Sequence, residues 1–203
     1  MVGPVGTDMS LGSAVVSYLL TFVPWIVYAL ISGDSPSSKL WGALGGFVVS
    51  VVVLAAARRR GTRADALIIE IGSGLFFATL AVFALVCPGS ALLDYATALS
   101  SAALAVIAWV SLAIRRPFTL GIAKRSTPST VWDQPLFHRT NVIITTVWAT
   151  SFTLSALALA VVVREGGGAP ARAVVQTIAF AIPMAFTVRY ATAVRTRTAR
   201  ATD

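Results

Sequence analysis

Long apolar segments separated by short polar ones dominate this chain. Six mainly apolar runs of at least 18 residues occur, at 11–32, 40–57, 66–87, 92–114, 142–163 and 173–194. A helix of about 20 residues crosses a hydrocarbon core of about 30 Å, because each residue rises about 1.5 Å. The pattern predicts an all-α, polytopic membrane protein in which residues 1–203 form a single transmembrane domain with six transmembrane helices.

The composition agrees with a membrane location. Hydrophobic residues make up 57% of the chain and charged residues 12%, whereas roughly 25% of the residues of a soluble domain are charged. The ten residues before the first run contain no Lys or Arg, and that run is longer than a signal-peptide core, so we expect a retained helix. Cys87, the only cysteine, falls in the third run, where we expect it to be buried, and it excludes an intramolecular disulfide.

Positive charge is concentrated after the second, fourth and sixth runs. The basic residues in these places are Arg58, Arg59, Arg60, Arg63, Arg115, Arg116, Lys124, Arg125, Arg139, Arg195, Arg197 and Arg200. The charged residues on the other side are Lys39, Arg164, Arg172, Asp34, Asp94 and Glu165. Because loops rich in Lys and Arg face the cytoplasm, we predict that both termini are cytoplasmic. The clusters then orient the chain and bind anionic lipids, and we expect no nucleic-acid partner.

Glycine positions indicate where helices pack closely. Gly42 and Gly46 share one face of the second run, and Gly74 lies in the third. Small residues at this spacing let membrane helices approach each other, since no hydrophobic force drives helices together in lipid. With a similar alanine stripe in the fourth run, the pattern predicts a tight inner bundle of spans 2, 3 and 4. Gly42 and Gly46 would serve equally well as the face of a homo-oligomer.

Ionisable residues inside the apolar runs are candidates for a site. Glu70 lies about one turn into the third run, and Arg189 lies at a similar depth in the sixth. A charge facing lipid costs on the order of 2.5–3.5 kcal/mol at the bilayer centre, so we predict that Glu70 faces inward and pairs with Arg189, or with Arg115 or Arg116. Such a pair would either fix the helix register or take part in function, and both interpretations stay open.

Further polar residues are expected at the same depth. The candidate intramembrane polar cluster consists of Glu70, Arg189, Asn141, Thr145 and Tyr190. Because the polar residues of the outer side are sparser, a cavity formed by this cluster would open toward the cytoplasm. The chain has one His, one Cys and no hydrolase, zinc-protease or phosphate-loop motif. We therefore expect no enzymatic activity, no cofactor and no metal.

The segment 115–141 is the longest polar connection, and we expect it to be a cytoplasmic loop. Pro117 is placed to end the fourth helix, and Phe118 is followed by basic residues. Trp132 and Phe137 are suited to a membrane interface, where apolar side chains face lipid and basic ones face headgroups. The pattern predicts an interfacial helix-turn between spans 4 and 5. The candidate interaction residues are Arg116, Pro117, Phe118, Trp132, Phe137 and His138.

This segment also carries a family pattern: a basic residue, proline and an apolar residue, then a Val-Trp pair, an asparagine and a Trp-Ala pair. The matching residues are Arg116, Pro117, Phe118, Lys124, Val131, Trp132, Asn141, Trp148 and Ala149. In this order they resemble the bacterial intracellular septation protein A family, although segments 126–130 and 133–140 depart from its pattern. The resemblance implies a small bacterial inner-membrane protein of cell-envelope synthesis and septation. It implies contacts with division or elongation machinery and no catalytic residues.

Two functions follow from these observations. The first is a non-enzymatic interaction or scaffold protein that acts through its cytoplasmic face. The alternative is a small-solute or ion transporter or channel with a polar cavity open to the cytoplasm. Intramembrane ionisable residues favour transport, whereas the sparse polar set on the outer side argues against a continuous path.

Overall fold

The computed structural model describes the backbone of residues 11–62, 67–125 and 127–202, and the side chains of those at 20–62, 67–125 and 127–197. The ten-residue leader and Arg63, and the side chain of Arg200, lie outside these ranges. The α-helices of the described part are α1 Leu11–Ile31, α2 Pro36–Arg59, α3 Ile68–Val86, α4 Ala96–Ala113, α5 Phe118–Lys124, α6 Pro135–Arg164 and α7 Ala169–Thr202. Short 3₁₀ helices lie at Ala91–Tyr95 and Ser129–Val131.

The prediction of an all-α membrane fold is confirmed for the described residues, which contain helices and no strand. Five segments are long and apolar enough to cross a membrane: Pro36–Arg59, Ile68–Val86, Ala91–Ala113, Pro135–Arg164 and Ala169–Arg197. They make the chain a multi-pass membrane protein. The described side chains of α1 cover Leu20–Ile31, an apolar stretch shorter than a full span, so the sixth span stays a prediction.

Local signals set the helix ends. The Ser35 side chain accepts a hydrogen bond from the backbone N–H of Ser38, and Pro36 occupies the first turn of α2, where its missing N–H is not needed. At its other end α2 closes with the backbone N–H of Gly61 bonded to Arg58 and that of Thr62 bonded to Ala57. This pair of bonds is the Schellman motif, which satisfies carbonyls that the helix itself leaves unpaired.

The helices pack in two groups around a shared aromatic centre. α2 packs mainly on α3 and α1, whereas α4 packs mainly on α6, which also packs on α7. Phe22 of α1 stacks on Trp148 of α6 with ring centroids 5.1 Å apart, and Trp25 contacts Phe77 of α3 at 4.7 Å. α1 therefore joins the two groups. Of the predicted inner bundle of spans 2, 3 and 4, α2 and α3 pack closely, whereas α4 contacts α3 near Gly72 and Ile107 but packs mainly on α6.

The small residues of α4 explain this difference, since they face α6. The Ser101 and Ser155 hydroxyls lie 3.2 Å apart across that contact. By contrast, the glycines of α2 face α1 and α3. A Cβ atom at Gly42 would lie 2.9 Å from Ser32, and one at Gly46 would lie 2.8 Å from the Phe77 ring. Gly42 and Gly46 thus pack within the chain.

The loop between α4 and α6 differs from the prediction in two ways. α6 begins at Pro135, seven residues before the predicted span, and α5 folds inside the segment 115–141. Phe118 and Ile122 of α5 are 3% and 1% exposed, so their apolar face lies in the bundle rather than in lipid. Rings of α1 and α6 near Phe118 provide this burial, with centroids 6.4 and 6.5 Å away. Cys87 was also expected to be buried, but it follows the end of α3 and is exposed.

Candidate functional site

We call the end of the bundle where α2 and α4 finish the basic end, and the end where α2, α4 and α7 begin the opposite end. Near the basic end, Glu70 is 2% exposed on the first turn of α3. Arg125, directly after α5, donates from Nη2 to Glu70 Oε1 and from Nη1 to Thr21 Oγ1 of α1, the latter at 3.3 Å. Three helical elements therefore meet at one ion pair.

The predicted pairing of Glu70 with Arg189 is wrong. Arg189 is exposed on α7, while α5 carries Arg125 to the carboxylate. Arg115 and Arg116, the alternatives, are exposed beyond the end of α4. The depth of Glu70 in the third run predicts a buried carboxylate that needs a cation, but the cation comes from Arg125, directly after the inward-folded α5, and not from a spanning helix.

Half of the Glu70 carboxylate is unpaired. Its Oε2 is buried and accepts no hydrogen bond from any described residue. An unsatisfied buried polar group costs roughly 1–3 kcal/mol, and this oxygen is a ready acceptor for a proton, a cation or a polar ligand. Glu70 can therefore accept one more hydrogen bond or ligand while it stays paired with Arg125.

Aromatic side chains separate this pair from the bundle interior. Ser73, one turn further along α3, donates to the Ile69 carbonyl at 2.7 Å and accepts from Trp25 Nε1 at 2.8 Å. Trp25 stacks on Phe76 and contacts Phe77. The Trp25 N–H and the Ser73 hydroxyl are thus bonded to each other, and the rings of Phe76 and Phe77 lie beside them.

Two other members of the predicted cluster, Asn141 and Thr145, lie at the basic end but bind α5 rather than Glu70. The Thr119 hydroxyl donates to the Asn141 carbonyl at 3.0 Å and lies 2.7 Å from the Thr145 hydroxyl. Asn141 Nδ2 donates to the Phe137 carbonyl at 2.9 Å. Tyr190 stacks on Phe186, with centroids 5.3 Å apart. Asn141 and Thr145 therefore attach α5 to α6.

We call residues 127–139 the loop surface. Within it, Trp132 donates from Nε1 to the Thr127 carbonyl at 3.0 Å, and the Lys124 ammonium lies 5.2 Å from the Trp132 ring centroid, a cation–π contact. Leu136 is exposed, and Phe137 and His138 are half-buried. Before it, Pro117 is buried and precedes the first residue of α5. Of the predicted interaction residues, Pro117 and Phe118 are therefore buried in the bundle. Trp132, Phe137 and His138 belong to the loop surface and are half-buried.

The opposite end, where the sequence predicts few polar residues, contains two ion pairs that were not predicted. Lys39 Nζ lies 2.7 Å from Asp94 Oδ1, and Arg172 is paired with Asp34. These four residues come from α2, the 3₁₀ helix before α4, α7 and the turn after α1. The signal was available, since charges of both signs occur in short connections that the alternating topology brings to one end.

Comparisons of the chain with protein-family models, with curated proteins and with solved structures find no match. Membership of the septation protein A family therefore stays a prediction, based on the matching residues between Arg116 and Ala149. Within the described part of the chain, no group of three or more His, Cys, Asp and Glu side chains is placed to hold a metal ion.

Proposed function

We propose that this chain is a non-enzymatic protein of the bacterial inner membrane, and that the loop surface at its basic end recognises partners. The observation that carries the proposal is the attachment of α5 to the bundle, because it fixes the position of Lys124, whose ammonium lies over the Trp132 ring of the loop surface. In line with the resemblance, the proposed partners belong to the machinery of envelope synthesis and septation. The basic residues around the loop surface would bind anionic lipids.

Three contacts along α5 and at its end hold it. Phe118 is buried between rings of α1 and α6, Thr119 bonds to α6, and Arg125 pairs with Glu70 of α3. A segment with such anchors loses little conformational freedom when a partner binds, which favours affinity. The exposed Leu136 and the half-buried Trp132 are suited to contact the apolar part of a partner, since aromatic residues are enriched at interfaces.

The test is photocrosslinking in native membranes with the full chain carrying Trp132→Ala and Leu136→Ala. Its matched control carries Trp41→Ala and Leu30→Ala, which change the same residue types at exposed positions near the opposite end. The proposal expects the crosslinked species to be lost in the first variant and kept in the control. Equal recovery of the same species from both variants would contradict it.

A second candidate, a transporter or channel, is favoured by one observation, the unpaired Oε2 of buried Glu70. Intramembrane carboxylates of this kind serve as proton or ion relays. The aromatic centre around Trp25 and Phe77 leaves such a path closed, so transport would need another conformation. Proteoliposomes that contain a pH-sensitive dye test it: proton or ion flux in the wild type that Glu70→Gln abolishes would favour transport, and its absence would leave the interaction protein.

A further inference from the structure

The two ion pairs at the opposite end separate two cavities. The inner cavity, about 180 Å³, lies against α1, α2, α4 and α7, and Tyr28, Ser32, Thr97 and Gln176 contribute polar groups to its wall. The outer cavity, about 560 Å³, is bordered by Tyr95, Arg164 and the glycines at 166–168. The residues that line both cavities are Asp34, Lys39, Asp94 and Arg172.

The charges of the two pairs are buried unequally. The side chains of Lys39 and Arg172 are 11% and 17% exposed, whereas those of Asp94 and Asp34 are 62% and 73% exposed. The cations therefore lie in the wall and the carboxylates at the rim. Because a carboxylate with this exposure is well hydrated and its ion pair contributes little, another anion replaces it at low cost.

The inner wall holds polar atoms without partners. Tyr28 is 1% exposed, and its hydroxyl forms no hydrogen bond of normal geometry with a described residue, although Ser32 lies close to it. The Thr97 hydroxyl is also buried without a partner. Buried hydroxyls are almost always hydrogen-bonded, so Tyr28 and Thr97, which both line the cavity, each have a hydroxyl that can bond to an occupant.

We propose that the inner cavity binds the oxyanion group of a small molecule, a phosphate or a carboxylate, held by Lys39, Arg172, Tyr28 and Thr97. An ammonium offers three N–H donors and a guanidinium five, and each of these cations uses one in its pair. All four residues line the inner cavity. Its volume of about 180 Å³ is below the roughly 300–1,000 Å³ of sites for drug-sized ligands, which suits a small anion.

Access is from the opposite end, through the outer cavity. An anion that moves inward reaches the two ion pairs, where it replaces the exposed Asp94 and Asp34 as the partner of Lys39 and Arg172 and the two carboxylates turn to solvent. This site is separate from the loop surface and does not depend on the proposed function. The oxyanion has two sources, a free solute or the headgroup of a phospholipid beside the helices.

The experiment measures binding to the full chain in an uncharged detergent, by the shift of its thermal unfolding midpoint with inorganic phosphate or with acetate, and by native mass spectrometry with phosphatidylglycerol. Stabilisation by either solute identifies a free anion, and retention of the lipid alone identifies a headgroup. Both results support the site, provided that they depend on the residues named below. No stabilisation and no retained lipid would overturn it.

Two variants make that dependence measurable. Tyr28→Phe removes one hydrogen bond and should weaken binding about fivefold, while Tyr190→Phe, near the basic end, should leave it unchanged. Arg172→Gln removes a charge-assisted bond and should weaken binding about ten- to hundredfold, with the exposed Arg189→Gln of the same helix as its control. If Arg172→Gln does not fold, the tyrosine pair decides. Equal affinity of Tyr28→Phe and Tyr190→Phe would refute the proposal.

Discussion

Arg115 has a positive φ angle just after the end of α4. The residues at the same place after α2 and α6, Gly61 and Gly166, are both glycine. α2, α4 and α6 all end in the Schellman pattern, and the residue with positive φ is Gly61 at 76°, Arg115 at 57° and Gly166 at 71°. The left-handed region costs a residue with a Cβ roughly 1 kcal/mol relative to glycine. An arginine at this position is consistent with a role for its charge in orienting α4.

The substitution Arg115→Gly should therefore stabilise the protein by about 1 kcal/mol, because glycine adopts this φ without strain. Gly166→Ala should have the opposite effect, by a similar amount. The measurement is the midpoint of thermal unfolding in a mild detergent. A fall in the midpoint for Arg115→Gly would show that the arginine side chain stabilises the end of α4 by more than its backbone costs.

The Glu70–Arg125 pair gives a second prediction at this scale. Breaking it with Glu70→Gln or Arg125→Gln should destabilise the chain by about 1–3 kcal/mol, since each change leaves a buried or partly buried polar group without its partner. The double variant should cost less than the sum, with a coupling of about 1–2 kcal/mol reduced by the solvent around Arg125.

A double-mutant cycle by SDS-induced unfolding measures that coupling. The same cycle with Arg189→Gln in place of Arg125→Gln is the control, and it should show no coupling because Arg189 is exposed on α7. Coupling to Arg189 and none to Arg125 would restore the pairing that the depth of the two charges predicts.

At the scale of elements, α2 and α3 approach closely at some glycines and not at others, as the space for an added Cβ atom shows. At Gly46 a Cβ would lie 2.8 Å from Phe77, whose ring is fully buried and has Trp25 and Tyr28 beside it. At Gly74 the nearest atom, the Cβ of Ser50, would lie 3.7 Å away, an ordinary contact. The two glycines lie on facing helices but differ in the space around them.

Gly46→Ala should therefore destabilise the chain by about 1–3 kcal/mol, because Phe77 has no free direction to move. Gly74→Ala should be neutral or stabilising by up to about 1 kcal/mol through its better helix propensity. Thermal unfolding of both variants in the same detergent is the measurement. Equal effects would mean that glycine flexibility, rather than the α2–α3 contact, determines stability.

The limits of sequence reasoning also appear at the level of elements. The long helices were predictable, because every spanning backbone must satisfy its own hydrogen bonds and therefore needs a long apolar run. The burial of α5 was not predictable, since in its seven residues the same Phe118 and Ile122 spacing suits lipid or a protein core. That one uncertainty also concealed the partner of Glu70, because Arg125 reaches the carboxylate only if α5 folds inward.

Considered as a whole, the molecule has charged groups near both ends and aromatic rings between them. Glu70 with Arg125 lies on one side of the rings, and the pairs of Lys39 and Arg172 lie on the other. Phe22, Trp148 and their neighbours fill the space between. Charge near the ends and rings at the centre suit a bilayer.

The excess of basic residues at one end predicts the orientation of the whole bundle, with the basic end in the cytoplasm and the opposite end outside. The chain contains its own reporter, because Cys87 is its only cysteine and is exposed after the end of α3. A membrane-impermeant maleimide should label Cys87 in intact cells. In a Cys87→Ser background, Ser129→Cys on the loop surface should react only after the membrane is permeabilised. The reverse pattern would invert the topology, and it would move the loop surface out of reach of the proposed cytoplasmic partners while exposing the proposed oxyanion site to cytoplasmic solutes.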